Sequence, residues 1–439
     1  MATAHSGELE ADARRLNADG HGVRSGEIAI GVIIGRTSEF FDFFVYAIAS
    51  VIVFPTVVFP YVDRLTGTLY SFAIFPLAFI ARPLGSLIFM AVDRNYGRGT
   101  KLTIALFLLG TSTVSIAFLP AYAQVGHWSA ILLATFRIGQ GIALGGAWDG
   151  LASLLALNVS EKKRGWYAMI PQLGAPLGLI VASSLFAFSL VFAPYEDFMD
   201  WGWRYPFFVA FALNVVALFA RLRMVVTAEY SDLFTARELQ PTRVLPTIRK
   251  EWGHIVIGAF APLASFALFH MVTVFPLSWV HLYTQEAVSR FLVIEIIGAV
   301  FGLGAIVASG MIADRVGRRT LLGGCAAAIA AFSGFAPQLL AGGEIGETVF
   351  MILGFILLGL SFGQSSGVVA SNFDKESRYT GSALTSDLAW LFGAGFAPLA
   401  ALFLASKFGL IAAGGYLLSG ALATLVALAL NKELASRLD

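Results

Sequence analysis

Charge and cysteine are both scarce in this chain. Asp, Glu, Lys and Arg supply 13% of its 439 residues, against about a quarter in soluble domains. Hydrophobic residues supply 57% and the mean hydropathy is +0.77. So much apolar surface with so little charge excludes an ordinary soluble protein and requires a chain that faces lipid. The lone cysteine, Cys325, lies in an apolar run, which excludes a disulfide framework and a Cys-based metal site. A net charge of +1 offers no footprint for nucleic acid. No Gly-rich phosphate loop, HExxH pair, nucleophile elbow or Cys/His cluster appears. An enzyme is therefore not expected, and neither a metal nor any other cofactor. The first thirty residues are polar, with Glu8, Glu10, Asp12, Arg14, Arg15 and Arg24, and lack the apolar core of a cleavable signal.

What the sequence does contain is apolar runs of membrane-spanning length, about twenty residues each. They fall at roughly 31–54, 67–91, 101–120, 129–157, 165–192, 204–224, 253–281, 291–313, 320–341, 347–370, 379–404 and 408–430. The expected fold is an all-α membrane protein of twelve transmembrane helices in two pseudo-symmetric six-helix bundles. Residues 31–224 form the N-terminal bundle and 253–430 the C-terminal bundle. The segments 1–30, 225–252 and 431–439 are read as a tail, a linker and a second tail, all cytoplasmic. Orientation follows from the basic residues: with the N-terminus inside, the cytoplasmic segments hold 22 of the 29 Lys and Arg. Glu196, Asp197, Asp200, Glu344 and Glu347 mark the outer side. Only Arg36, Arg82 and Arg137 remain inside predicted spans. The expected location is the cell (inner) membrane, multi-pass, with both termini cytoplasmic.

The halves repeat. Asp93-Arg94 returns as Asp314-Arg315, 221 residues on, and Gly141 and Gly145 return as Gly363 and Gly367, 222 on. Pro176 returns as Pro398, again 222 on. Two parallel six-helix halves place a substrate site between them near the bilayer midplane.

The first span carries the densest polar group. At about 100° per residue, Arg36, Glu39, Asp42 and Tyr46 share about a third of the helix circumference. A charge near the bilayer centre costs on the order of 3 kcal/mol or more unless it is paired or wet. Asp42 and Glu39 are therefore candidate proton carriers, with an Arg36–Glu39 salt bridge as the alternative. Asp149, further along helix 4 past its glycines, is either a further proton site or a partner for an arginine. Two roles are open to Arg137 and Arg82: gripping an anionic substrate through a planar fork, or neutralising Asp42, Glu39 or Asp149. Gln140 beside Arg137, and Asp387 in helix 11, are further candidates for the cavity wall. His270 reads more readily as a core histidine. Asp93 and Asp314 end helices where they can accept backbone N–H bonds from a neighbouring helix start. With Arg94, Arg98, Arg315, Arg318 and Arg319 they form the candidate gating set.

These motifs carry a resemblance. Gly310-Met-Ile-Ala-Asp314-Arg315-Val-Gly317-Arg318-Arg319 resembles the loop signature of the major facilitator superfamily. Its first copy, Asp93-Arg94-Asn-Tyr-Gly97-Arg98, has Phe89 in place of the glycine and one extra residue before Gly97. Within the superfamily the chain resembles the metabolite:proton symporters. That likeness rests on Glu39-Phe-Phe-Asp42-Phe-Phe-Val-Tyr46, Arg82-Pro83-Leu-Gly85, Arg137-Ile-Gly-Gln140-Gly141, Gly145-Gly146-Ala-Trp148, Arg164-Gly165 and Trp201-Gly-Trp203-Arg204-Tyr-Pro206-Phe. The chain departs from the family at Ala147, where glutamate is usual, and at Asn372-Phe373-Asp374-Lys375. The resemblance implies a monomeric secondary transporter in the lipid bilayer, coupling protons to uptake of a small organic acid, mono- or dicarboxylate, by alternating access. A zwitterionic osmolyte or amino-acid-like metabolite is the alternative substrate, and a channel or uncoupled facilitator the alternative of a different class.

Overall fold

Backbone amides find no partners in hydrocarbon, so an apolar chain crosses it as helices that satisfy their own hydrogen bonds. The computed structural model describes residues 25–147, 163–225, 241–365, 373, 374 and 376–431, without the side chains of 25–28 and 223–225. Asp149 lies outside the described residues. Among these residues there are helices and no strands.

The N-terminal six are α1 (Ser25–Ile52), α2 (Arg64–Tyr96), α3 (Arg98–Ala117), α4 (Trp128–Ala147), α5 (Arg164–Phe192) and α6 (Tyr205–Val225). The C-terminal six begin with α7, in three pieces: Val244–Phe260, Leu263–Thr273 and Phe275–Tyr283. Then follow α8 (Val288–Val316), α9 (Arg318–Leu340), α10 (Gly343–Phe362), α11 (Arg378–Phe408) and α12 (Leu410–Leu430). Eleven described helices are apolar and long enough to cross a membrane. The remaining long helix is α1, whose span is interrupted by Arg36, Glu39 and Asp42.

Several helices break where the chemistry allows it. In α7 the interruptions come at Pro262 and before Pro276, because proline offers no N–H and clashes with the preceding turn. Every residue of Leu263–Thr273 is buried, so this piece sits at the centre of the molecule. In α11 the six residues Trp390–Gly395 form a π-helical stretch just before Pro398. α5 is interrupted by a 3₁₀ turn, Ile170–Leu173, containing Pro171. Pro176 then falls in the first turn of the resumed helix, where its missing N–H costs little. The first piece of α7 begins at Val244, nine residues ahead of the span read from hydropathy.

Within each half, small residues let helices meet backbone to backbone. A Cβ on Gly141 of α4 would stand 2.2 Å from the carbonyl oxygen of Ala78 in α2, and one on Gly145 2.4 Å from that of Arg82. In the second half a Cβ on Gly359 of α10 would stand 2.5 Å from the carbonyl oxygen of Gly302 in α8. Between the halves lies a slab of aromatic rings. Phe40, Phe43 and Phe44 of α1, with Phe79 of α2, pack on Phe269 of α7, Phe362 of α10 and Trp390 of α11 at centroid distances of 5.2–6.3 Å.

A side chain at Gly141 therefore forces α2 and α4 apart. Gly141→Val is expected to destabilise the folded protein by at least about 1–3 kcal/mol, read as a lower melting temperature in detergent. Gly253→Ala, with nothing within 4 Å of its added methyl, is the control and is expected to melt like wild type.

Candidate functional site

Burying a carboxylate or guanidinium is tolerable only when its oxygens or N–H groups are met, and the spans show three distinct solutions, two of them on α1. Toward one end, Glu39 lies between two arginines: Arg36 on its own helix and Arg221 of α6. Arg221 also donates to the Ala147 carbonyl of α4 at 2.6 Å. Glu39 is thus a neutralised carboxylate, in keeping with the salt-bridge alternative. Arg221, close to the end of α6, is only 3% exposed and is buried against Glu39.

One turn on, Asp42 has no arginine against it. It turns into the N-terminal bundle, where its Oδ2 accepts from Asn214 Nδ2 of α6 at 2.6 Å and from Thr113 Oγ1 of α3 at 3.4 Å. Ser38 in turn donates to Asn214 Oδ1 at 3.0 Å. From Thr113 the chain of contacts continues. Gln140 Nε2 of α4 donates to Thr113 Oγ1 at 2.8 Å, and Arg137 Nη1 donates to Gln140 Oε1 at 3.0 Å. Two uncharged side chains thus join the buried cation to the buried carboxylate. Arg137 is 1% exposed and Asp42 3%. Arg137 Nε donates to the Phe75 carbonyl at 3.3 Å, while its Nη2, like Asp42 Oδ1 and the Tyr46 hydroxyl, has no partner. The guanidinium carbon of Arg137 lies 4.1 Å from the Tyr46 ring centroid and 4.8 Å from that of Phe75, within cation–π range. His270 stacks on Phe43 with centroids 5.2 Å apart, and both of its nitrogens are unpartnered.

The third solution joins the two halves. Arg82 of α2 pairs with Asp387 of α11, Nε to Oδ1 at 2.8 Å, and Ser86 donates to Asp387 Oδ2 at 2.6 Å. Arg82 also lines a cleft between the halves with Arg36, Glu39, Phe43, Phe79 and Trp390. The cleft is narrow, with a volume of about 40 Å³. Asp42 does not line it.

A family model for the Major Facilitator Superfamily matches residues 37–398. This chain is a member of that superfamily. It is 36% identical over 418 residues to the inner membrane metabolite transport protein YhjE of Escherichia coli, covering 93% of this chain and 94% of that one. With the citrate-proton symporter of Klebsiella pneumoniae it shares 27% identity over 412 residues, 92% and 91% of the two chains. In fold it is similar to the crystal structure of a D-xylose-proton symporter, with a TM-score of 0.68 at 19% identity over 92% of this chain and 97% of that one. The protein is a multi-pass membrane transporter, not an enzyme.

In this transporter the two loop motifs are built differently. Asp314 of α8 accepts from the backbone N–H groups of Gly165 at 2.7 Å and Trp166 at 3.2 Å, at the start of α5. It bridges the halves there, and Gln364, just past α10, adds a bond to the Gly165 carbonyl at 3.1 Å. Asp93 instead stays in its own half, accepting from Arg98 at 3.0 Å with Lys101 at 3.7 Å. Contact with the other half passes through these cations to Tyr379 of α11, whose hydroxyl accepts from Lys101 at 2.8 Å. The cause is one residue. Gly97 and Gly317 both turn the chain at positive φ, 82° and 83°. The capping N–H of Gly97 reaches Asp93 itself, but that of Gly317 reaches Ala313, the residue before Asp314. Counted from the turn, Asp93 is one residue early, hence rotated by about 100° around its helix. Of the remaining candidates, Arg94 donates to the Thr242 carbonyl at 3.4 Å and Arg319 to that of Leu428 in its own half at 3.0 Å. Arg315 is exposed and Arg318 buried.

Sequence reading missed Asn214, Thr113, Arg221, Lys101 and the pair Ser183–Glu295. Lone polar residues inside apolar runs, as at Asn214 and Glu295, are the one signal that was available.

Asp314→Asn keeps an acceptor but loses the charge that strengthens two inter-half bonds. Hydrogen bonds to a charged group contribute about 1.5–3 kcal/mol, so closure at the Asp314 end is expected to weaken at least about tenfold. Labelling of a Met169→Cys probe by a bulky maleimide should accelerate, substrate binding should persist, and Asp93→Asn should do less. Equal and complete loss of binding in both variants would refute a gating role.

Proposed function

We propose that the protein is a proton-coupled symporter that brings a small organic anion, a mono- or dicarboxylate, into the cell by alternating access. The observation that carries this reading is the buried chain Arg137–Gln140–Thr113–Asp42. Arg137 keeps an N–H without a partner in a dry, aromatic-walled setting, which suits the carboxylate of a substrate. Asp42 keeps an unpartnered oxygen and no cation in direct contact, which suits reversible protonation. Polar relays of this kind polarise along their length, so substrate on Arg137 and a proton on Asp42 each alter the other's binding. The citrate-proton symporter named above supports an acid as cargo and a proton as partner. Glu39, held between two arginines, acts here as structural neutralisation. Arg36 belongs to that triad, while Arg82 and Asp387 form the inter-half pair.

In this reading the protein sits in the inner membrane with both termini, the 1–30 and 431–439 tails and the 225–252 linker cytoplasmic. The bundles 31–224 and 253–430 move against each other, and the Asp314 contact closes the cytoplasmic end. A zwitterion is the second reading. The cleft joins Glu39 to the rings of Phe40, Phe43, Phe79 and Trp390, a setting that also receives an onium group.

In proteoliposomes an inward proton gradient is expected to drive accumulation; dependence on sodium and indifference to a protonophore would overturn the proposal. Asp42→Asn fixes the neutral form. It should bind substrate and catalyse counterflow exchange while losing gradient-driven accumulation, and normal accumulation would remove Asp42 from the proton path. Arg137→Lys loses the two-point fork and should weaken binding by about tenfold or more, taking ~1.4 kcal/mol or more for a lost charge-assisted bond. Thr113→Val keeps both charges but cuts the relay, so substrate affinity should lose its pH dependence; an unchanged dependence assigns the coupling to another route.

A further inference from the structure

Ser183 of α5 and Glu295 of α8 meet where the two halves touch, with Ser183 Oγ 2.9 Å from Glu295 Oε2. Both residues are fully buried, and Glu295 Oε1 has no partner at all. α5 brings no charged or titratable side chain between Gly174 and Phe192. On α8 the nearest charged residue is Arg290, already engaged by Glu286 and Glu344. Among the other elements packed against α8, α10 brings Glu344 and Glu347 and the last piece of α7 brings His281 and Tyr283. The start of α5 brings Arg164 and Tyr167, and α9 brings Arg318, Arg319 and Cys325. None of these is bonded to Glu295, whose one polar partner among the described residues is Ser183. A carboxylate without a cation in so dry a place costs several kcal/mol, whereas the carboxylic acid makes the same bond without that penalty.

The position matters as much as the burial. Glu295 precedes Asp314 by 19 residues on α8, about 28 Å at ~1.5 Å per residue. The same helix pair is thus fastened twice: by Asp314 at the start of α5, and by Glu295 through Ser183 far along it.

We infer that Glu295 is a second proton-binding site, distinct from the Asp42–Arg137 relay, filled while the far end of the α5–α8 contact is closed and emptied when that end opens to water. The inference rests on alternating access as proposed above. Its proton acts as a latch: the neutral acid permits closure, and ionisation of Glu295 requires hydration and therefore separation of the helices.

The test is a distance measurement on the full chain in lipid nanodiscs, in a Cys325→Ser background. Spin labels at Phe192→Cys and Val288→Cys report on the end of α5 and the start of α8. The parent protein should show a short distance at low pH and a growing long-distance population as pH rises. Glu295→Gln, a permanent mimic of the acid, should stay short throughout. Ser183→Ala removes the one bond of the closed acid form, so opening should move to lower pH. Opening in Glu295→Gln with the parent's pH dependence, or no shift in Ser183→Ala, overturns the latch while leaving alternating access intact. A parent protein that stays short at every pH and with every substrate tried overturns both.

Discussion

A charge left unpartnered in hydrocarbon costs on the order of 3 kcal/mol or more, and the placement of polar side chains in this protein follows from avoiding that cost. Two buried acids of α1 are fastened to other helices: Glu39 to α6 through Arg221, and Asp42 to α6 and α3 through Asn214 and Thr113. These contacts lie within the N-terminal half and hold it as a unit. The Arg82–Asp387 pair, the Asp314 bonds and the Ser183–Glu295 bond cross between the halves instead. In the alternating access proposed above, rocking one half on the other would keep the first group intact and undo members of the second. The polar contacts thus separate into those within one half and those that join the two.

Pseudo-symmetry supplies the frame, and its local failure supplies direction. Gly97 and Gly317 make the same turn, but the added residue in the first copy rotates Asp93 away from its counterpart's role. Asp93 organises Arg98 and Lys101, and these, not the carboxylate, meet Tyr379. One end is therefore closed by an acceptor for helix N–H groups on one side of the pseudo-axis and by a cation–aromatic contact on the other. Such contacts differ in strength and in sensitivity to salt, so in the gating role proposed for them the two motifs are not equivalents.

Two neighbouring acids of α1 show how environment separates chemically similar groups. Glu39 and Asp42 are three residues apart, yet one has two guanidinium partners and the other has an amide and a hydroxyl. The first setting favours a permanent anion and the second leaves charge to be decided by occupancy. Phe40, Phe43 and Phe44 lie among them and form one side of the aromatic slab against α7, α10 and α11. Rings of this size seal the space between the halves without adding hydrogen bonds that movement must break.

The sequence by itself determined the class, the twelve helices and the repeat, because lipid imposes length and hydropathy on every span and because the glycines and loop motifs recur at a nearly fixed offset. It also allowed Asp93 and Asp314 alike to accept N–H groups of a neighbouring helix start, but only the turn that follows each decided that Asp314 does so and Asp93 does not. Tertiary structure alone decided which partner each buried charge received. Arg221 sits near a helix end and counts as a loop arginine until folding turns it inward onto Glu39. Asn214, Thr113 and Glu295 are single polar residues in apolar runs, and nothing in their own segments tells a relay from a stray hydrogen bond. The partner lies on another helix more than a hundred residues away for Glu39, Asn214 and Glu295. Helical periodicity fixes which face a residue occupies, but only packing fixes what that face meets.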